Sequence, residues 1–281
     1  MGEVMKKLFL GLSLIAMTLA SFASASTSGP SMPADDAVKL LKEGNARYVA
    51  GQSAHPRQGA DRRAETVTGG QHPIATIIGC SDSREPLEVL FDQGVGDLFV
   101  VRVAGNVAGP DELATVEYGV GHLGTPVVLV LGHTNCGAVT AAVQNAKVHG
   151  NLPFLINQIK PAVARAKSWS PMASGDDLLN KSIKSNVWLT MENLLRKSHE
   201  LKEKVKKGQL LVIGGIYDLN AGTINWLGQH PDQAKLLVEH APVHAKPKAK
   251  AAEGEPTADT GGAMVPEANV HGEAKKAPAH P

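Results

Sequence analysis

Three side chains that favour zinc stand in two short segments of the chain. Cys80 opens the segment CSDSR, and His133 and Cys136 lie in the segment HTNC further along. Two thiolates and one imidazole suit zinc, which takes nitrogen and sulfur ligands in a tetrahedron. Three protein ligands leave a fourth position open, and an open position is typical of a catalytic zinc site rather than a structural one.

The same two cysteines could instead form a disulfide, since they are the only two in the sequence. That alternative stays open at this point, although a histidine three residues before Cys136 is metal-ligand spacing and a disulfide needs no histidine. A redox dithiol is disfavoured because the chain has no C-x-x-C motif.

An aspartate and an arginine, Asp82 and Arg84, follow Cys80 closely. At most surface positions such a pair forms an ion pair that contributes little to stability. Beside a zinc ligand, Arg84 can hold the Asp82 carboxylate through two parallel hydrogen bonds. Asp82 can then accept a hydrogen bond from water on the metal. Without Arg84, Asp82 could turn onto the metal as a fourth ligand.

Continuous apolar runs predict the strands that position these residues. The runs lie at 74–79, 97–101, 126–131 and 210–216, with an edge strand at 223–226. Helical patterns separate them, at 86–91, 112–122, 138–147 and across 152–207. Apolar runs alternating with helices indicate a mainly parallel sheet that is covered on both faces. The sequence therefore predicts a single α/β domain.

This order of elements brings the two segments together. Cys80 directly follows the first apolar run and His133 follows the third. The carboxyl ends of parallel strands meet at one edge of a sheet, which is where such folds place their sites. We therefore expect Cys80, His133 and Cys136 to lie within reach of one ion.

The chain before the first strand is predicted to begin with one helix. Asp35 or Asp36 is predicted to cap this helix, which ends near Val49. The stretch 51–70 is polar and is predicted to be a looser connection.

The two ends of the chain differ in composition from the domain. Residues 1–25 are predicted to be a signal peptide, because Lys6 and Lys7 precede a short apolar run and residues 23–25 form a small-residue cleavage pattern. We expect export to a bacterial periplasm, with no membrane attachment after cleavage. Residues 26–240 would form the domain, and residues 241–281, rich in Ala, Pro, Lys and Glu, are predicted to be a disordered tail. Lys plus Arg is 28 against 27 for Asp plus Glu, which argues against a nucleic-acid partner.

The two segments resemble the signature blocks of the β-class carbonic anhydrases, as CSDSR from Cys80 and GHTNCGA from Gly132. Residues 99–106 are similar to the family's segment between those blocks, and residues 215–218 to its C-terminal strand segment. The likeness covers about residues 34–228. It implies the family's α/β fold, with a mainly parallel sheet, and an enzyme for which CO2 and bicarbonate are the substrates.

The resemblance also implies a role for each site residue. Cys80, His133 and Cys136 match the family's zinc ligands, with one Zn2+ per chain. Asp82 and Arg84 match its Asp–Arg dyad, and in some members this aspartate is instead a fourth zinc ligand. The implied reaction is attack of zinc-bound hydroxide on CO2, which gives bicarbonate and a proton.

A further implied residue is Gln71, which matches a glutamine that hydrogen-bonds substrate. In the family this glutamine comes from the neighbouring subunit, so the resemblance implies a homodimer or homotetramer. Some bicarbonate-inhibited members carry a Trp where this chain has Ile77, which favours the open form of the site here. Two other functions stay open: hydrolysis of carbon disulfide or carbonyl sulfide on the same scaffold, and a periplasmic zinc-binding protein without catalysis.

Overall fold

The computed structural model describes residues 32–238. Backbone contacts divide the chain into Met1–Ala241 and Pro242–Pro281, and every described residue belongs to the first unit. The predicted signal peptide and the predicted tail lie outside the described residues. Within residues 32–238, no helix combines the length and apolar character that crossing a membrane would need.

A five-stranded sheet forms the centre of the domain, in the order β2-β1-β3-β4-β5. The strands are β1 Ala75–Gly79, β2 Leu98–Arg102, β3 Val127–His133, β4 Leu211–Tyr217 and β5 Ile224–Gly228. The first four are parallel, and β5 pairs with β4 in the antiparallel direction. The predicted α/β domain with a mainly parallel sheet and an added edge strand is confirmed.

Nine helices accompany this sheet within the described residues. They are α1 Ala34–Val49, α2 Ala60–Gly69, α3 Leu87–Leu90, α4 Pro110–Gly121, α5 Gly137–Val143, α6 Leu152–Trp169, α7 Gly175–Lys197, α8 His199–Lys206 and α9 Gln233–Val238. The long helical region predicted at 152–207 is three separate helices. The predicted helices at 86–91, 112–122 and 138–147 correspond to α3, α4 and α5, with shifted ends.

Two predictions about the N-terminal region are wrong. No side chain caps α1, whose N-cap position is Pro33; Asp35 and Asp36 lie in its first turn, where carboxylates stabilise the helix dipole instead. The stretch predicted to be loose contains α2, a helix with no buried residue. Arg62 on α2 donates a hydrogen bond to the Val95 carbonyl at 2.9 Å, and this polar contact helps to hold α2 on the domain.

The central strands β1, β3 and β4 are buried on both faces, since they are apolar at nearly every position, whereas the edge strands β2 and β5 are partly buried. Neighbours on one strand alternate between the two cores: Ile77 packs with α1 and α3, whereas Ile78 packs with α4 and α7. Long α7 approaches the sheet closely at Gly132 and Gly214, where an added Cβ would lie 2.8 Å from a Val187 methyl carbon. Glycine at these two positions lets the helix cover the central strands.

Candidate metal and catalytic site

The three zinc-favouring side chains meet at the carboxyl edge of the sheet. Cys80 directly follows β1, His133 is the last residue of β3, and Cys136 precedes α5. Their ligand atoms all lie within 4.8 Å of one another, and all three residues are buried. The two thiols are free, so the structure contains no Cys80–Cys136 disulfide. His133 was expected just beyond the strand, but it pairs with Tyr217 inside the ladder.

The imidazole of His133 is held in one tautomer. Its Nδ1 lies 2.9 Å from the Thr134 carbonyl oxygen. A carbonyl can only accept, so Nδ1 carries the proton, and in the neutral imidazole Nε2 presents a lone pair. Although burial opposes the shift, the neighbouring Cys80 sulfur raises the pKa of His133. Nε2 is buried without a hydrogen-bond partner among residues 32–238. An orphaned acceptor of this kind beside two thiols is what a metal ligand requires.

The donor set fits zinc in both spacing and chemistry. Zn–S bonds of about 2.3 Å and Zn–N bonds of about 2.0 Å place ligand atoms roughly 3.5–3.8 Å apart in a tetrahedron. The observed separations, all below 4.8 Å, can reach these values through small side-chain rotations. Two sulfurs and one nitrogen select zinc over magnesium or calcium, which prefer oxygen ligands.

The Cys80 sulfur lies in surroundings that favour its thiolate. A hydrogen bond from the Cys136 thiol lowers the pKa of Cys80 to about 4, although burial opposes the shift. The Gly105 amide also donates to this sulfur at 3.2 Å. The same thiol–thiol hydrogen bond, together with burial, raises the pKa of Cys136. The two shifts together favour the thiolate form of Cys80 over that of Cys136.

Asp82 and Arg84 form the predicted pair beside this cluster. The Arg84 guanidinium donates to both carboxylate oxygens, at 2.9 Å to Oδ1 and 2.8 Å to Oδ2, and the Arg84 amide donates to Oδ1 at 3.0 Å. These hydrogen bonds hold the pKa of Asp82 well below its usual range. Oδ2 lies 3.8 Å from His133 Nε2, so the ionised carboxylate faces the place that an ion would occupy.

Comparison with known proteins agrees with this geometry. A family model described as carbonic anhydrase matches residues 75–224, which include all five of these residues. Carbonic anhydrase 2 of Mycobacterium tuberculosis is 39% identical over 189 residues, covering 66% of this chain and 88% of that protein. The crystal structure of the β-carbonic anhydrase CafA of Aspergillus fumigatus has a TM-score of 0.57 at 29% identity, covering 72% of this chain and 94% of that one. The chain belongs to the β-carbonic anhydrase family.

A second structural relative resembles this chain about equally. One of two tetrameric β-carbonic anhydrases from Sordaria macrospora has a TM-score of 0.55 at 27% identity, over 69% of this chain and 98% of that one. The likeness therefore extends over nearly the whole domain of that relative.

Gln71 is not brought to the site by its own chain. It is exposed and precedes β1, whereas Cys80 follows β1. From Ala75 to Cys80 the chain rises about 17 Å, at about 3.3 Å per residue. Gln71, which comes before Ala75, therefore precedes the opposite end of β1 from Cys80.

Two residues that hold the Cys80 segment were given no role from the sequence. Arg102, at the end of β2, donates to the Cys80 carbonyl at 2.8 Å and to the Asp82 carbonyl at 2.6 Å. Glu85 is fully buried and accepts a hydrogen bond from the Cys80 amide at 2.7 Å. For Glu85, the available signal was a charged residue that lies between CSDSR and an apolar helix.

Proposed function

We propose that this carbonic anhydrase hydrates CO2 reversibly to bicarbonate and a proton, with one zinc ion held by Cys80, His133 and Cys136. The observation that carries the proposal is the orphaned His133 Nε2, which lies beside two thiols and faces the Asp82 carboxylate. Zinc bound by this set supplies a water nucleophile near neutral pH.

The dyad orients that water. Asp82 stays ionised because Arg84 binds both of its oxygens, so the carboxylate can only accept a hydrogen bond. Accepting one proton of the attacking water aims the oxygen lone pair at the carbon of CO2. A new C–O bond then forms and the released proton passes to solvent. The hydrogen bonds to Arg84 favour this role for Asp82 over that of a fourth metal ligand.

We also propose that the active protein is a homodimer or homotetramer in which Gln71 of a neighbouring subunit contacts the substrate. The position of Gln71 across the sheet from Cys80 supports this, and the Sordaria relatives are tetrameric. The basic and apolar N-terminal sequence supports export to the periplasm, where the mature chain would act.

The test is stopped-flow CO2 hydration at alkaline pH on protein whose zinc content has been measured. We expect fast turnover with about one zinc per chain, since residues 32–238 contain a single three-ligand set. His133→Ala should lose both zinc and turnover, whereas His199→Ala, at an exposed histidine on α8, should keep both. Bound zinc without hydration would contradict the proposal, and carbon disulfide would be the next substrate. Protein that holds no zinc would refute the metal site itself.

A further inference from the structure

Glu85 is a buried acid that no step of the proposed reaction uses. None of its surface is exposed. Its Oε2 accepts the Cys80 amide hydrogen at 2.7 Å, while Oε1 has no hydrogen-bond partner within the described part of the chain. Burial raises the pKa of Glu85 to about 8. A carboxyl group is costly to bury, so its presence beneath a metal ligand calls for a role that an apolar side chain could not fill.

Glu85 closes the loop that carries both a ligand and the dyad. Its amide donates to the Asp82 carbonyl at 3.0 Å, which forms a tight turn over residues 82–85. Its side chain then folds back beneath this turn to the Cys80 amide. One residue thus fixes the loop at Cys80 through its side chain and at Asp82 through its backbone.

Arg102 completes this arrangement from the neighbouring strand. It donates to the carbonyls of Cys80 and Asp82. The Cys80 amide is therefore bound by the Glu85 carboxyl, and the Cys80 carbonyl by the Arg102 guanidinium. A hydrogen bond to a peptide amide restricts rotation about the adjoining backbone bonds, and these bonds determine where the Cys80 thiol points. Replacing Glu85 by a residue that cannot accept a hydrogen bond would also leave the buried Cys80 amide without this partner.

We propose that Glu85 is a positioning residue of the metal centre, whose buried carboxyl holds the Cys80 amide and thereby directs the Cys80 thiol and the Asp82 carboxylate toward the ion. This inference rests on the proposed zinc-dependent function. Residues that support metal ligands in this way affect metal affinity by about 10- to 100-fold when they are changed. Glu85 acts on affinity and ligand geometry without touching the ion or the substrate.

Two conservative variants separate the reach of the side chain from its acidity. Glu85→Gln replaces the carboxyl by an amide but keeps an oxygen that can accept the Cys80 amide hydrogen. Glu85→Asp keeps the carboxyl but is one methylene too short. The zinc dissociation constant, measured by competition with a chelator, should rise about 10- to 100-fold for Glu85→Asp and stay within about threefold for Glu85→Gln. The matched controls Glu88→Asp and Glu88→Gln, at an exposed position on α3, should not change it.

Cobalt substitution gives a second readout that does not depend on activity. The thiolate-to-cobalt absorption should be altered in Glu85→Asp and unaltered in Glu85→Gln. Any other order of the two variants, in affinity or in spectrum, would overturn the proposal. Glu85→Val is included in case Glu85→Asp does not fold. If both fail to fold without metal while Glu85→Gln folds, Glu85 serves fold stability and the proposal is wrong. Wild-type protein that binds neither metal would instead refute the proposed function.

Discussion

Replacing Gly105 by alanine tests how much stability depends on the close packing of the segment that contacts the Cys80 sulfur. Gly105 has a φ of +75°, and its amide donates to the Cys80 sulfur. An alanine Cβ there would lie 2.7 Å from Ile159 Cδ1 and 3.2 Å from Ala138 Cβ. The left-handed backbone costs alanine about 1–2 kcal/mol. Overpacking adds about 1–3 kcal/mol. We therefore expect Gly105→Ala to lower the free energy of unfolding by about 2–5 kcal/mol.

Gly208 provides the matched control. It has a φ of +67°, but an added Cβ there would meet nothing within 4 Å. Gly208→Ala should therefore show the backbone cost alone, about 1–2 kcal/mol. Both free energies can be measured by urea unfolding followed by circular dichroism, at fixed protein and zinc concentrations because bound metal and assembly also stabilise the folded state.

A double-mutant cycle identifies the contact responsible. Ile159→Val removes Cδ1 and alone should cost about 0.5–1.5 kcal/mol. In the Gly105→Ala background it should cost less, because it also relieves the overlap. Two results would refute the reasoning: equal losses for Gly105→Ala and Gly208→Ala, or strictly additive effects of the Gly105 and Ile159 substitutions.

Three further predictions concern the dyad, the subunit contact and acid stability. Asp82→Asn should lower kcat for CO2 hydration by about 100-fold or more with zinc content unchanged; an unchanged kcat would remove Asp82 from the reaction. Mixed oligomers of Gln71→Ala and His133→Ala chains should regain activity, since one site then has both wild-type residues; no recovery would mean that Gln71 does not act across subunits. Although burial opposes it, hydrogen bonds from His230 and Arg165 lower the pKa of Glu192 from 4.5 to about 2. Its stabilisation should be present above pH 4.5 and lost as the pH falls toward 2. In Glu192→Gln, acid unfolding followed by circular dichroism should therefore show less pH dependence over that range, and an unchanged profile would contradict this assignment.

The sheet was predictable because burial on both faces leaves a direct mark on the sequence. The run PVVLVL from Pro126, which leads into and forms most of strand β3, has no polar residue to dilute the pattern. The cysteine–histidine cluster followed from that order, since Cys80 and His133 both come at the ends of parallel strands and had to lie at the same edge of the sheet. The two thiols and one imidazole of this cluster then favoured zinc as the metal.

Features held by polar contacts were harder to predict. Helix α2 buries no residue, so it has no apolar stripe to detect, and Arg62 holds it through contacts with Val95 and Asp97 that come later in the chain. Glu85 was missed for a related reason. A charged residue next to a turn usually faces solvent, and only the tertiary structure shows its side chain reaching back to the Cys80 amide.

The placement of the ligands on the two central strands affects how long an ion would be retained. Cys80 directly follows β1 and His133 is the last residue of β3. These two strands pair directly and are buried along their whole length. Amide hydrogens of such strands exchange with solvent mainly when the whole domain opens, since local fluctuations do not separate them. The backbone segments that carry the two ligands therefore keep their separation while this central ladder is intact. An ion held between them would leave by rotation of the ligand side chains, without separation of the strands.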